Sequence, residues 1–294
     1  MTEGPPDAAP ARAHEIRVDP LTGLRVIIAP GGSFDTAVAA AAGSEDGDEP
    51  LLQVHAPEPE RSHRPDLFAA TAATGVSEII ANAQGGAALA HLDDTQVTTT
   101  VDAWRARMRA HADRAYVHLH ADVMVAGAAA AGHARLQAMA FVPALVARER
   151  ERFGAYATRT LGGNLLSDLL QEEVRQRVRI VAIDDDAVLL TPFASASPYR
   201  LMVVPRRGRT RFEDEAGPSG AALLRDALRR LSRRFGACPP LTLWVRTAPR
   251  GAEHFCWHLD IVPRFRAPDG LELATGVPVN GVSPEQAADE LRHA

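Results

Sequence analysis

The chain contains no lysine; all 32 of its basic residues are arginine. That absence excludes a Schiff-base lysine and a Walker-type phosphate loop, both of which depend on an ammonium group. Any anion must then be held by a guanidinium. Cysteine is almost as scarce. Cys238 and Cys256 alone cannot build a disulfide framework or a four-cysteine zinc site, and a cytoplasmic location is expected. The longest apolar run, residues 123–131, falls well short of the roughly 20 residues a bilayer requires, so no membrane partner is expected. Residues 1–15 carry Pro and Ala but no apolar run; they are expected to be no signal peptide, and residues 1–14 to form a disordered tail. Basic excess is lacking too: a net charge of −5 and a pI near 6.1 argue against nucleic acid as a partner. What is present is 46% hydrophobic and 23% charged residues over 294 positions, an ordinary soluble globular composition.

Periodicity supplies the elements. Residues 16–29 alternate around a turn at Asp19-Pro20-Leu21-Thr22-Gly23 and read as strands. Residues 43–50 form an acidic loop, and 51–55 and 75–81 read as strands. Thr99 is placed to cap a helix over 101–114, which carries Trp104, Met108 and His111 at helical spacing. Strands follow at 116–120 and 133–141 across a small-residue loop at 125–132, and helices at 143–153 and 164–177. The second half has strands within 179–191 and at 198–205, an arginine-studded helix over 219–235, and strands at 241–247 and 254–263. Ser77 laid on Arg200 gives an offset of 123, and His133 laid on His258 gives 125. Strand, helix, strand, loop and histidine-bearing strand thus recur in one order, which implies an internally duplicated α+β unit of about 120 residues.

With particular words at its ends, that plan resembles the galactose-1-phosphate uridylyltransferase family of the histidine-triad superfamily. Asp19-Pro20-Leu21-Thr22-Gly23 followed by Val26-Ile27-Ile28-Ala29-Pro30 is similar to the family's opening "DPLTG-x-WVIIAP". His254-Phe255-Cys256-Trp257-His258-Leu259-Asp260-Ile261-Val262-Pro263-Arg264 is similar to "HFHWHIEIxPR". Gly270 to Gly276 resembles "GFELGTG", and Ser283-Pro284-Glu285-Gln286-Ala287-Ala288 resembles "PPEEAA". The resemblance implies an α+β fold of tandem histidine-triad-like halves, antiparallel sheets with packed helices, dividing at 15–178 and 179–294. The halves are expected to pack as one body. Family members are often dimers, so a homodimer is expected.

In that family a histidine of "HPHxQ" attacks the α-phosphorus of a nucleoside-diphosphate sugar. Counting back from Pro143 puts His133 on that nucleophile, which makes it the expected catalytic residue. The motif's first His falls on Ala131 and its Pro on Gly132, while Arg135 replaces the phosphate-binding Gln. A guanidinium can hold phosphate bidentately. Gln137, Asp122, His258 and Arg246 complete the set expected to face substrate, although a carboxylate at Asp122 repels a nucleotide phosphate. Zinc is not expected at the family's first metal site: residues 31–42 lack cysteine, Ser77 replaces a His, and Ala131 removes another ligand. The family's second metal site maps to Glu149, His258, Cys256 and Arg246. Glu, Cys and His are metal ligands, but the arginine argues against a metal, and no cofactor is expected.

Plainer readings stand beside these. His118 and His120 share one side of their strand and read as an exposed polar face; Cys256 reads as a small buried side chain. Arg206 and Arg207 read as a solvated edge, and the arginines of 225–234 as the wet side of an amphipathic helix. The leading function is a divergent nucleotidyltransferase-like enzyme acting through His133 on a nucleotide sugar or another small phosphorylated or acidic metabolite. Two alternatives stay open: a repurposed relative running different chemistry in the same pocket with His133 as general acid or base, and a non-catalytic binding relative.

Overall fold

The computed structural model describes residues 15–30, 76–82, 88–123 and 133–294. The tail at 1–14, the acidic loop at 43–50, the strand at 51–55 and the loop at 125–132 lie outside the described residues.

The N-terminal hairpin joins β1 (Glu15–Val18) to β2 (Arg25–Ile28). Asp19 shapes its turn, its carboxylate accepting from the Leu21 amide at 2.9 Å and the Thr22 hydroxyl at 2.7 Å. Gly23 closes the turn at φ +70, a conformation that favours glycine. The first half continues with β3 (Val76–Ala81), α1 (Asp94–Ala110), β4 (Tyr116–Val123) and β5 (His133–Met139). Two helices, α2 (Ala144–Arg159) and α3 (Leu165–Gln176), lead to β6 (Ile180–Ile183), β7 (Ala187–Leu190) and β8 (Leu201–Pro205). Then come α4 (Ala221–Phe235), β9 (Leu241–Arg246) and β10 (His258–Pro263). The chain ends with α5 (Gly270–Thr275), β11 (Val279–Asn280) and α6 (Pro284–Arg292).

Eight strands form one antiparallel sheet in the order β3-β5-β4-β9-β10-β8-β7-β6, so strands of both halves share a single ladder. Its first six strands read as a palindrome. Ile80 and Ala121 flank Ala134 as Val203 and Val245 flank Leu259. Strand by strand, the offsets are 123, 124 and 125. The seam lies between β4 and β9, where Leu119 pairs with Val245 and Ala121 with Leu243.

The two faces differ. On one, Leu119, Leu136, Val203, Leu243, Leu259 and Ile261 pack under Trp104 and Met108 of α1 and Leu224 and Leu228 of α4. On the other, Phe153 of α2 and Leu165, Leu166 and Leu170 of α3 cover Val188, Met202, Val204, Phe255 and Cys256. Phe153 and Phe255 meet at a ring-centroid distance of 4.7 Å.

The expected cap of α1 is corrected. Its N-cap is Asp93, which accepts from the Gln96 amide at 2.9 Å while the Gln96 side chain accepts from the Asp93 amide at 2.8 Å. This reciprocal box satisfies two helix-end donors, so the helix begins earlier than expected and Thr99 sits inside it, bonding back to the Thr95 carbonyl at 2.9 Å. The arginines of α4 are not all on a wet face. Arg225 holds the Leu92 carbonyl at 2.9 Å and Arg230 the Leu291 carbonyl at 2.9 Å, while Arg229, Arg233 and Arg234 are exposed as expected. The last long strand starts at His258 rather than 254, because the segment before it is held elsewhere: the Trp257 amide donates to the Arg209 carbonyl at 2.8 Å and Asn164 to the Phe255 carbonyl at 2.9 Å.

Candidate active site

Strand alternation decides which side chains meet. With Leu119, Leu136, Leu243 and Leu259 facing α1 and α4, the residues between them face the opposite side. These are Tyr116, His118, His120 and Asp122 on β4, and His133, Arg135 and Gln137 on β5. From the second half come Thr242, Trp244 and Arg246 on β9, with His258 and Asp260 on β10. The register sets them in rows. His120 lies between Arg135 and Trp244, His118 opposite Gln137, Asp122 opposite Thr242, and His258 opposite Arg246.

The expected site residues fall into two groups on this face. The first contains His133, Arg135, Gln137 and Asp122. His133 is half-buried and Arg135 exposed. Burial, and then the neighbouring Arg135 cation, hold the His133 imidazole below its ordinary 6.5 against the pull of Asp122, which favours the neutral ring. Asp122 accepts from the Thr242 hydroxyl at 2.6 Å and lies 3.6 Å from the Arg264 guanidinium. His118 and His120 border this group and are not exposed as expected. Their rings stack with centroids 5.2 Å apart, and burial lowers both, His118 to about 4. The Trp244 indole N–H is buried in the same row without a hydrogen-bond partner.

The second group is sealed. Glu149 projects from α2 onto the sheet at 3% exposure, and its carboxylate lies 3.2 Å from Arg246 Nε. Burial pushes Glu149 up to about 7 even beside that cation. His258 is 1% exposed and lowered to about 4 by burial, with Nδ1 3.3 Å from the Cys256 carbonyl and Nε2 3.6 Å from Asp260. Asp260 accepts from Arg200 at 2.7 and 3.0 Å. Arg246 and His258, expected to face substrate, therefore sit in a buried polar cluster rather than beside His133.

That cluster does not fit a metal. The Arg246 guanidinium already lies against Glu149, and Cys256 is packed with Phe255, its thiol donating to the Trp257 carbonyl at 3.6 Å and raised to about 12 by burial. Among the described residues no three His, Cys, Asp or Glu side chains converge as a metal site. At the other metal position Ser77 is exposed on β3, while 31–42 and Ala131 lie outside the described residues. No helix among the described residues is long and apolar enough to cross a membrane.

Sequence reasoning missed Arg200 and Asp260. A signal was available for Asp260: it lies two residues from His258 on a strand, and so on the same face.

No protein-family model matches the chain. It is 24% identical over 267 residues to a galactose-1-phosphate uridylyltransferase of Rattus norvegicus, covering 84% of this chain and 70% of the relative. To an ADP-glucose phosphorylase of Arabidopsis thaliana it is 24% identical over 128 residues, 41% of this chain and 36% of that one. Among solved structures, a GalT-like protein of Arabidopsis thaliana superposes with a TM-score of 0.75 at 19% identity, covering 96% and 99% of the two chains. The Arabidopsis thaliana ADP-glucose phosphorylase with bound ADP-glucose gives 0.72 at 20% identity, covering 96% and 99%.

Proposed function

We propose that the chain is a divergent member of the galactose-1-phosphate uridylyltransferase family, a reading supported by 24% identity over 84% of the chain to one such enzyme, and that it is a nucleotidyltransferase-like enzyme acting on a nucleotide sugar or another phosphorylated metabolite, with His133 as nucleophile. The observation that carries this reading is one strand face: a half-buried imidazole held below its ordinary pKa, with an exposed arginine two residues on. A neutral ring leaves a bare nitrogen for attack at neutral pH.

In the proposed reaction that nitrogen attacks the α-phosphorus of the donor. A nitrogen–phosphorus bond forms as the bond from that phosphorus to the bridging oxygen breaks, and the sugar phosphate departs with the electron pair. An oxygen of the acceptor phosphate then attacks the same phosphorus and releases the imidazole. Arg135 offers the fixed charge that the transferring phosphoryl oxygens need. Gln137, half-buried on the same face, offers a neutral donor beside it.

Intact-protein mass spectrometry after incubation with UDP-, ADP-, CDP- and GDP-sugars tests the reading. The expected result is an adduct of one nucleoside monophosphate on the wild-type chain and none on His133→Ala. No adduct from any donor, together with no donor-induced rise in Tm, overturns covalent nucleotidyl transfer and moves the weight to the repurposed or non-catalytic reading.

A further inference from the structure

The palindromic sheet relates the two groups of the candidate site to each other. Extending the strand offsets of 124 and 125 equates His133 with His258, Arg135 with Asp260, and Asp122 with Arg246. Each histidine thus has one residue of each charge beside it, but the signs are exchanged. In the first half the strand neighbour is the cation; in the second it is the anion, and the cation comes from β9. The second position is also closed by α2, which contributes Glu149.

We propose that Arg246 is the resident cation of this second position: its guanidinium, set against Glu149, takes the electrostatic role that a metal ion bound there would fill, and the chain is stable without one. Three observations support it. Arg246 is 9% exposed and its nearest carboxylate is 3% exposed, so water cannot neutralise either charge. The donor set is spoiled for a metal, since the thiol of Cys256 turns to a carbonyl of its own segment. The charges also balance in place, because Asp260 is matched by Arg200 at 2.7 Å while Glu149 is matched by Arg246. Breaking such a buried pair from one side leaves an uncompensated charge and is strongly destabilising; replacing both members by neutral groups is tolerated far better.

The test uses the full chain. Elemental analysis of the purified protein is expected to show far less than one metal ion per chain, and EDTA is expected to leave Tm unchanged. A stoichiometric metal whose removal lowers Tm overturns the proposal. Arg246→Met is expected to lower Tm on the order of 10 °C, and Glu149→Gln/Arg246→Met to recover at least half of that loss. A double variant no more stable than Arg246→Met indicates packing alone and overturns the assignment. Should Arg246→Met fail to fold, the double variant Glu149→Gln/Arg246→Met is expected to restore folding; a double variant as unfolded as the single one is equally fatal to the proposal.

Discussion

The buried pair His258 and Glu149 should give the folded state two opposing proton linkages. His258, 1% exposed, is lowered from an ordinary 6.5 to about 4. As pH falls from 6.5 toward 4 the unfolded chain takes up a proton that the folded chain refuses, and stability is lost. At about 1.36 kcal/mol for each tenfold, that displacement is worth about 3 kcal/mol. Glu149, 3% exposed, is raised from an ordinary 4.5 to about 7. As pH falls from 7 toward 4.5 the folded chain takes up its proton first, and stability rises by about the same amount. In the wild type the two nearly cancel; single substitutions separate them. Urea unfolding at pH 7, 6, 5 and 4.5 reads the result as ΔG from the midpoint and slope. Relative to wild type, His258→Gln should gain on acidification over this range, approaching about 3 kcal/mol by pH 4. Glu149→Gln should lose a similar amount between pH 7 and 4.5. Profiles of both variants running parallel to wild type would refute the burial argument.

Two other outcomes follow from the same geometry. Arg135→Gln removes a cation that lowers His133, so the His133 imidazole should titrate at higher pH when followed by NMR of the histidine ring; an unchanged titration breaks the link between the two. Asp93→Ala removes the capping box of α1 and should cost about 1 kcal/mol in urea unfolding, with an unchanged midpoint counting against that cap.

The duplication was legible because it depends on order and spacing, which survive divergence. The offsets of 123 and 125 found between Ser77 and Arg200 and between His133 and His258 reappear in the register of β3 with β8 and β5 with β10. Helix starts were less legible. Asp93 and Gln96 form a recognisable box, but the threonines at 98–100 offered a competing cap, and only the folded chain shows Thr99 bonded inward. The division of the candidate site was not legible at all. Strand alternation puts His133 and His258 on one face but says nothing about what covers each, and it is burial that separates the half-buried imidazole from the sealed one. Glu149 lies on a helix of the first half and Arg246 on a strand of the second, and their meeting is a tertiary event that no local pattern encodes.

The small sheet at the chain's beginning has a consequence for the order of its synthesis. β2 pairs in parallel with β11, Ile27 beside Val279 and Ile28 beside Asn280, and Arg17 donates to Glu285 at 2.9 and 3.0 Å. The first described residues therefore complete their bonding only with some of the last. On a ribosome, which releases a chain from its N-terminus, the β1–β2 hairpin must wait with one edge unpaired until β11 emerges, long after Ala194 has become available to cover Ile28. A nascent chain stalled before residue 279 would present that edge to other chains, so the arrival of β11 governs the solubility of β1 and β2.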